Sequence, residues 1–311
     1  MQTAPNQHIF QADEIEQSAG APTPLICLPD RGKLFAKRAA RLRQLAAGHV
    51  MGDYLAFVAA LAEAQQRLVA TLPSLALPGP KQLDQCREHG MPPLNAQTHP
   101  RDRRWCDGLR GMLQQLAEET AGRVREVVLG LEGEGDEIFE VQADKLLTGT
   151  TLGLDRARAP FIGAALQAYW VQMVSALGAD AFKTIDAVIV CPACGSPPLA
   201  SIVRWNAREP GHRYLHCSLC LTEWHMVRVK CASCESVAGI HYESIKGGSK
   251  AVLAESCDEC GSYLKIFHTE QDPQIEPTAD DLASVALDLL MADSGKLRSG
   301  QNLMLIPGEE L

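Results

Sequence analysis

Four Cys-x-x-Cys knuckles hold eight of this chain's 11 cysteines: Cys191-Pro-Ala-Cys194, Cys217-Ser-Leu-Cys220, Cys231-Ala-Ser-Cys234 and Cys257-Asp-Glu-Cys260. Two residues between cysteines let one tight turn aim both sulfurs at a single ion. Two such turns complete a tetrahedron at about 2.3 Å per metal–sulfur bond. Twenty-two residues separate the first knuckle from the second and the third from the fourth, so each cysteine recurs at a period of 40. That repeat predicts one site from Cys191, Cys194, Cys217 and Cys220, and a second from Cys231, Cys234, Cys257 and Cys260. An interleaved pairing of first knuckle with third is the alternative. Four sulfurs close the coordination sphere, which argues against hydrolytic metal catalysis. Thiolates suit zinc and iron alike, so the spacing does not choose the ion.

The arms between knuckles read as β-hairpins. In the first, Leu199 to Trp205 runs out, Pro210-Gly211 turns and Tyr214-Leu215 returns; in the second, Gly239 to Ile245 runs out, Gly247-Gly248 turns and Ala251 to Ala254 returns. Thr222 to Arg228 alternates as a strand, with Trp224 and His225 either packed or at a partner surface. His216 and His225 are adjacent to the sites but redundant, since each site already has four sulfurs. Cys27, Cys86 and Cys106 stand alone and read as buried or incidental thiols.

Upstream the texture is helical. Leu34, Phe35, Ala39, Leu42 and Leu45 recur at helical spacing, as do Tyr54, Phe57, Val58, Leu61 and Leu68 in a helix that Asp53 is placed to cap. Lys33, Lys37, Arg38, Arg41 and Arg43 read as a solvated basic helix face. Asp102 to Glu118 is helical, Leu131 to Asp136 breaks, and helix resumes near Ala143. Ala159 to Ala179 carries no charge but contains Gln167, Gln172 and Ser175, and reads as a buried helix rather than a membrane span. A last helix starts at Pro277, buries Leu282, Val285, Leu289 and Leu290, and stops at Gly295. The tail Leu303-Met-Leu-Ile306 is apolar enough to dock on the body or on a partner.

The expected architecture is α+β: a helical N-terminal domain, two tandem zinc-ribbon-like four-cysteine modules, and a C-terminal helix. The divisions fall at 1–30 (loose), 31–185 (helical), 186–227 and 228–270 (metal modules) and 271–311 (helix and tail). The 311 residues carry a formal charge of −9. Between Ala187 and Phe267 eight Lys or Arg face seven acids, and two four-thiolate centres add about −4. The loaded modules are then net negative, which disfavours a nucleic-acid-binding zinc ribbon. The N-terminus has neither a basic nor an apolar signal region, which implies cytoplasmic residence and reduced thiols.

CPACGSPP, HCSLCLTEWHMVRVKCASC and ESCDECGSYLK, with LFAKRAARLRQLAAGH and DYLAFVAALAEAQ upstream, resemble the formate dehydrogenase accessory protein family, FdhE. The likeness runs from about residue 25 to the end. It implies a non-enzymatic cytoplasmic factor, required for active respiratory formate dehydrogenase. Its partner would be the catalytic subunit, a molybdenum–selenium or tungsten enzyme with an iron–sulfur cluster, met before its folded export by the twin-arginine route. It also implies rubredoxin-like modules holding two metal ions per chain, iron favoured over zinc. Cys191-Pro-Ala-Cys194-Gly195 fits the rubredoxin knuckle, whereas Cys231-Ala-Ser-Cys234-Glu235 lacks the following glycine. A rubredoxin-like electron-transfer protein is the rival reading. No stable membrane insertion is expected, and a homo-oligomer is left open.

Overall fold

The structure, a computed structural model, describes residues 23–182, 189–205 and 211–306. The first 22 residues of the loose N-terminal segment, Ala187 at the change of texture and Pro210 of the first hairpin turn lie outside these.

Among the described residues seven α-helices precede the four knuckles: α1 (Leu34–Ala46), α2 (Gly52–Thr71), α3 (Pro80–Glu88), α4 (Arg104–Glu119), α5 (Gly122–Glu132), α6 (Asp136–Thr148) and α7 (Ala159–Leu177). Helix α7 is the axis, with every residue from Ala159 to Val174 buried. It packs on α2, α4 and α6. No helix among the described residues is long and apolar enough to cross a membrane. Gln167, placed in this apolar helix, is the joint between layers. Its Oε1 accepts from Arg38 Nη1 (3.0 Å) and Gln65 Nε2 (3.1 Å), and its Nε2 donates to the Ser218 carbonyl in the second knuckle (2.8 Å).

The basic face of α1 is corrected. Lys33, Lys37 and Arg43 are exposed, but Arg38 and Arg41 turn inward. Arg38 donates to Glu276 (3.1 Å), and Arg41 reaches Asp280 and Asp272 (each 2.6 Å). Asp272 and Glu276 precede α8 (Pro277–Ala283) and Asp280 lies in its first turn, so α1 is latched to the chain after the knuckles. Glu276 accepts from the Ala279 N–H while Asp280 accepts from the Glu276 N–H, a reciprocal capping box.

Other expectations shift. Asp53 lies in the first turn of α2 but makes no cap bond. Helix resumes at Asp136 rather than Ala143, and α5 occupies a stretch that the sequence left unassigned. The last helix is two, α8 and α9 (Val285–Asp293), parted at Ser284. The break turns Leu289 and Leu290 to solvent and buries Leu287 and Met291 instead. Of the tail, Leu303, Met304 and Ile306 are buried, with Leu303 against Gly163 of α7.

The cysteine region is a single sheet. Its strands are β1 (Ile26–Cys27), β2 (Pro198–Arg204), β3 (His212–Cys217), β4 (Glu223–His225), β5 (Ile240–Glu243), β6 (Val252–Cys257), β7 (Ser262–His268) and β8 (Leu297–Arg298). The order is β1-β4-β3-β2-β7-β6-β5, with β8 beside β7. Both hairpins form, β2 pairing with β3 and β5 with β6, and the second turns at Gly247-Gly248 as its sequence predicts. The two halves are joined by a parallel pairing of β2 with β7, Ser201 opposite Ile266 and Val203 opposite His268.

Candidate metal centres

Each knuckle is built by the same backbone turn. The residue after the second cysteine takes a left-handed conformation: Gly195, Leu221, Glu235 and Gly261, at φ +72°, +61°, +62° and +68°. Leu221 and Glu235 are the two non-glycine residues with positive φ among the described residues. The turn closes by the Gly195 N–H donating to Cys191 O (2.8 Å), Glu235 to Cys231 O (3.1 Å) and Gly261 to Cys257 O (3.0 Å). A side chain in this conformation costs about 1–2 kcal/mol. Glu235→Gly is therefore expected to raise stability by about 1 kcal/mol, since the part-exposed ion pair it gives up with Lys230 is worth less than that. Leu221→Gly should destabilise instead, because Leu221 is buried. Thermal melting of both variants checks this, and a lower melting temperature for Glu235→Gly would contradict it.

The turns bring the eight sulfurs together in two groups, Cys191, Cys194, Cys217 and Cys220, then Cys231, Cys234, Cys257 and Cys260. Within each group the sulfurs lie within 4.8 Å of one another. The sulfurs of Cys191 and Cys220, and of Cys194 and Cys217, are 3.4 Å apart. In the second group the corresponding separations are 3.7 and 3.8 Å. Four bonds of about 2.3 Å to one ion set tetrahedral sulfurs about 3.8 Å apart. Both groups could thus hold an ion. The interleaved arrangement is not the one the fold makes.

The sequence reading missed the hydroxyls. Ser196, Thr222, Ser236 and Ser262 each stand two residues after a knuckle's second cysteine. Thr222 Oγ1 lies 3.2 Å from Cys220 Sγ, and Ser262 Oγ 3.0 Å from Cys260 Sγ. The period of 40 contains the signal: Ser196 recurs as Ser236, and Thr222 as Ser262 once serine and threonine are counted as one donor type. Backbone N–H groups add to them, Leu219 and Cys220 on Cys217 Sγ and Ser233 on Cys231 Sγ. Such donors stabilise thiolate and orient it.

The two groups differ in depth. Cys191, Cys194, Cys217 and Cys220 are all at 0% exposure and belong to the main hydrophobic core, with Trp170 and Leu219. A strap from the helical domain grips the first knuckle: the Leu94 N–H donates to Ala193 O (3.0 Å) and the Ala96 N–H to Cys194 O (2.8 Å). Trp170 Nε1 secures the strap through Leu94 O (2.9 Å). In the second group Cys231 and Cys257 are buried, but Cys234 and Cys260 are exposed. Burial pushes the Cys191 and Cys217 thiols well above the ordinary range, whereas at Cys194 burial is outweighed by hydrogen bonds from the neighbouring thiols and Ser196, which hold it well below. A cation at the centre would favour thiolate at all four. At Cys260 burial works the same way but is outweighed by the Ser262 hydroxyl and N–H, which bring the thiol to about 7.

The lone residues fall elsewhere. Cys86 and Cys106 are buried in the helical domain. Cys27, Glu223 and His216 stand in register across β1, β4 and β3. They line a cleft of about 720 Å³ under α1. His216 Nδ1 meets Glu223 (3.1 Å), and Arg204 grips the same carboxylate from β2. Trp224 is packed rather than presented. Burial alone would raise the Glu223 carboxyl, but Arg204 and His216 hold it at about 2. This carboxylate therefore contributes stability above the usual carboxylate range that is lost as pH falls towards 2, about 3 kcal/mol in all. Glu223→Gln should be clearly destabilised at pH 7, with the gap roughly halved by pH 3 and closing only as pH falls through about 2. Urea unfolding at pH 7 and pH 3 measures it, and a gap that stays constant would go against the ion pair.

Models of the FdhE N-terminal, central and C-terminal domains match residues 23–186, 190–228 and 229–305. An FdhE homologue of Cronobacter sakazakii is 40% identical over 305 residues, 97% of this chain and 98% of its own. One from Pseudomonas putida is 42% identical over 305 residues, 96% and 95% of the two chains. The crystal structure of the FdhE protein from Pseudomonas aeruginosa superposes with a TM-score of 0.84 at 41% identity, covering 92% of this chain and all of that one. With three consecutive domain models, full-length relatives and a solved fold in agreement, this chain belongs to the FdhE family.

Proposed function

We propose that this protein is a cytoplasmic accessory factor for formate dehydrogenase that binds the catalytic subunit before export and performs no catalysis itself. Each four-cysteine group holds one ion, through Cys191, Cys194, Cys217 and Cys220 in the first centre and Cys231, Cys234, Cys257 and Cys260 in the second, with iron favoured over zinc. The observation that carries the reading is the pair of closed four-sulfur clusters in a full-length FdhE scaffold. A closed sphere leaves no position for water or substrate, so its uses are to hold structure or to pass single electrons. The domain boundaries follow the chemistry: helices to about residue 185, two metal modules to 270, then the C-terminal helices that latch back onto α1. Deleting the protein should abolish formate dehydrogenase activity, and a tagged copy should retain the catalytic subunit. Full activity after deletion would overturn the proposal.

The half-exposed second cluster favours one further reading, a redox role in which iron there cycles between Fe(II) and Fe(III). Visible charge-transfer bands that bleach reversibly on reduction support it. A colourless protein that still sustains formate dehydrogenase activity removes it.

A further inference from the structure

We propose that the two centres divide their labour by exchange: the second gives up and regains its ion while the chain stays folded, and the first does not. The inference rests on both clusters holding ions, as proposed above, and goes beyond it in assigning them different lifetimes.

A thiolate-bound ion leaves when an incoming ligand reaches it along an open face, so the rate follows the free energy needed to expose the sulfurs. At the first centre there is no such face. All four cysteines are at 0% exposure, and the Leu94–Ala96 strap is hydrogen-bonded over the first knuckle. Opening it disrupts the seam between α7 and the sheet. At the second centre Cys234 and Cys260 already face solvent. The neighbouring side chains, Ser233, Gly261 and Ser262, are short. Strand β5 is a sheet edge with exposed His241 and Tyr242, and Val237 before it is 71% exposed. What ties the fourth knuckle down from outside is polar: Lys296 and His241 to Asp258 (2.6 and 2.9 Å), and two backbone bonds at the sheet edge, the Asp258 N–H to Gly239 O and the Leu297 N–H to Gly261 O (each 2.9 Å). Part-exposed pairs and edge bonds of this kind hold less firmly than the buried seam at the first centre. Release therefore needs only local opening of the outer hairpin. The metal–sulfur bonds break, the ion passes to the competing ligand, and the freed thiolates take up protons from water. Refilling reverses each step, so ion supply controls the order of this segment.

The sequence provides a built-in reporter. All four tryptophans, Trp105, Trp170, Trp205 and Trp224, precede the second centre. Full-length protein loaded with two zinc ions per chain is mixed with excess 4-(2-pyridylazo)resorcinol. One equivalent should leave at least ~100-fold faster than the other, with tryptophan emission unchanged during the fast phase. Iodoacetamide added during that phase should label Cys231, Cys234, Cys257 and Cys260 and spare Cys191, Cys194, Cys217 and Cys220. Two ions leaving in one phase, or early label in the first set, would overturn the inference while leaving two-ion binding intact. A protein that binds only one ion would overturn both.

Discussion

Cys194→Ser is expected to remove the fold, not only an ion. Cys194 Sγ faces Cys217 Sγ at 3.4 Å, and its carbonyl receives the Ala96 strap, so as a ligand of the proposed ion it would serve the centre and the core at once. A structural four-ligand ion contributes about 10–16 kcal/mol. A protein's entire stability is about 5–15 kcal/mol. Without the ion, Cys191, Cys217 and Cys220 remain as buried sulfurs among apolar side chains with no water to solvate them. Even if half the ion's contribution were recovered by repacking, more than 5 kcal/mol would be lost. At about 2–4 °C per kcal/mol that is a drop of 10 °C or more. The expected result is insoluble protein, or a melting temperature lowered by at least that amount. Cys234→Ser, at the exposed cluster, should leave a soluble protein with its helical domain intact. A Cys194→Ser protein that melts within about 3 °C of the parent would refute a structural first centre.

Why the clusters were legible while their surroundings were not is a matter of sequence distance. A knuckle is made by residues within six positions of one another, and the repeat of 40 displays it twice. Burial is different. The local signs are slight, Glu235 after the third knuckle and Asp258-Glu259 within the fourth; what buries the first cluster is Leu94, Ala96 and Trp170, remote in sequence and packed on one cluster only. The same applies to α1. Spacing alone cannot distinguish a solvated arginine from a buried one, and the partner that decides Arg38, Glu276, is 238 residues away. The break at Ser284 was hidden because Leu282, Val285, Leu289 and Leu290 keep helical spacing through it. The parallel pairing of β2 with β7 carries no turn signal, so tandem modules could be read but not the sheet that fuses them.

That fusion depends on a residue no motif marks. Arg213 of β3 has a side chain at 0% exposure, and its guanidinium donates in three directions. Nη2 reaches Glu255 of β6 (2.6 Å), and Nε and Nη2 reach Ser201 of β2 (3.0 and 2.9 Å). Nη1 holds the carbonyls of Arg228 (3.1 Å) and Lys230 (2.9 Å), in the linker that leads into the third knuckle. One planar group thus fixes the two metal modules to each other. Arg213→Ala would strand the Glu255 carboxylate in the interior, with Tyr242 as its remaining side-chain donor, and leave the linker carbonyls unpaired. Breaking a buried pair from one side costs about 3–5 kcal/mol. Arg213→Lys should recover little, since a point charge cannot serve three directions. Burial already raises the Glu255 carboxyl, against the pull of Arg213, and its loss would raise it further. The variant's deficit should therefore shrink as pH falls through that raised carboxyl range, above the ordinary carboxylate value, where the carboxyl takes up its proton. Arg213→Ala combined with Glu255→Gln should be more stable at pH 7 than Arg213→Ala alone, because the stranded charge is gone. Urea unfolding of the three variants and the parent at pH 7 and pH 5 tests this. A single Arg213→Ala deficit under about 1 kcal/mol, or a double variant no better than the single, would mean that the modules are held by their β2–β7 backbone pairing and not by this side chain.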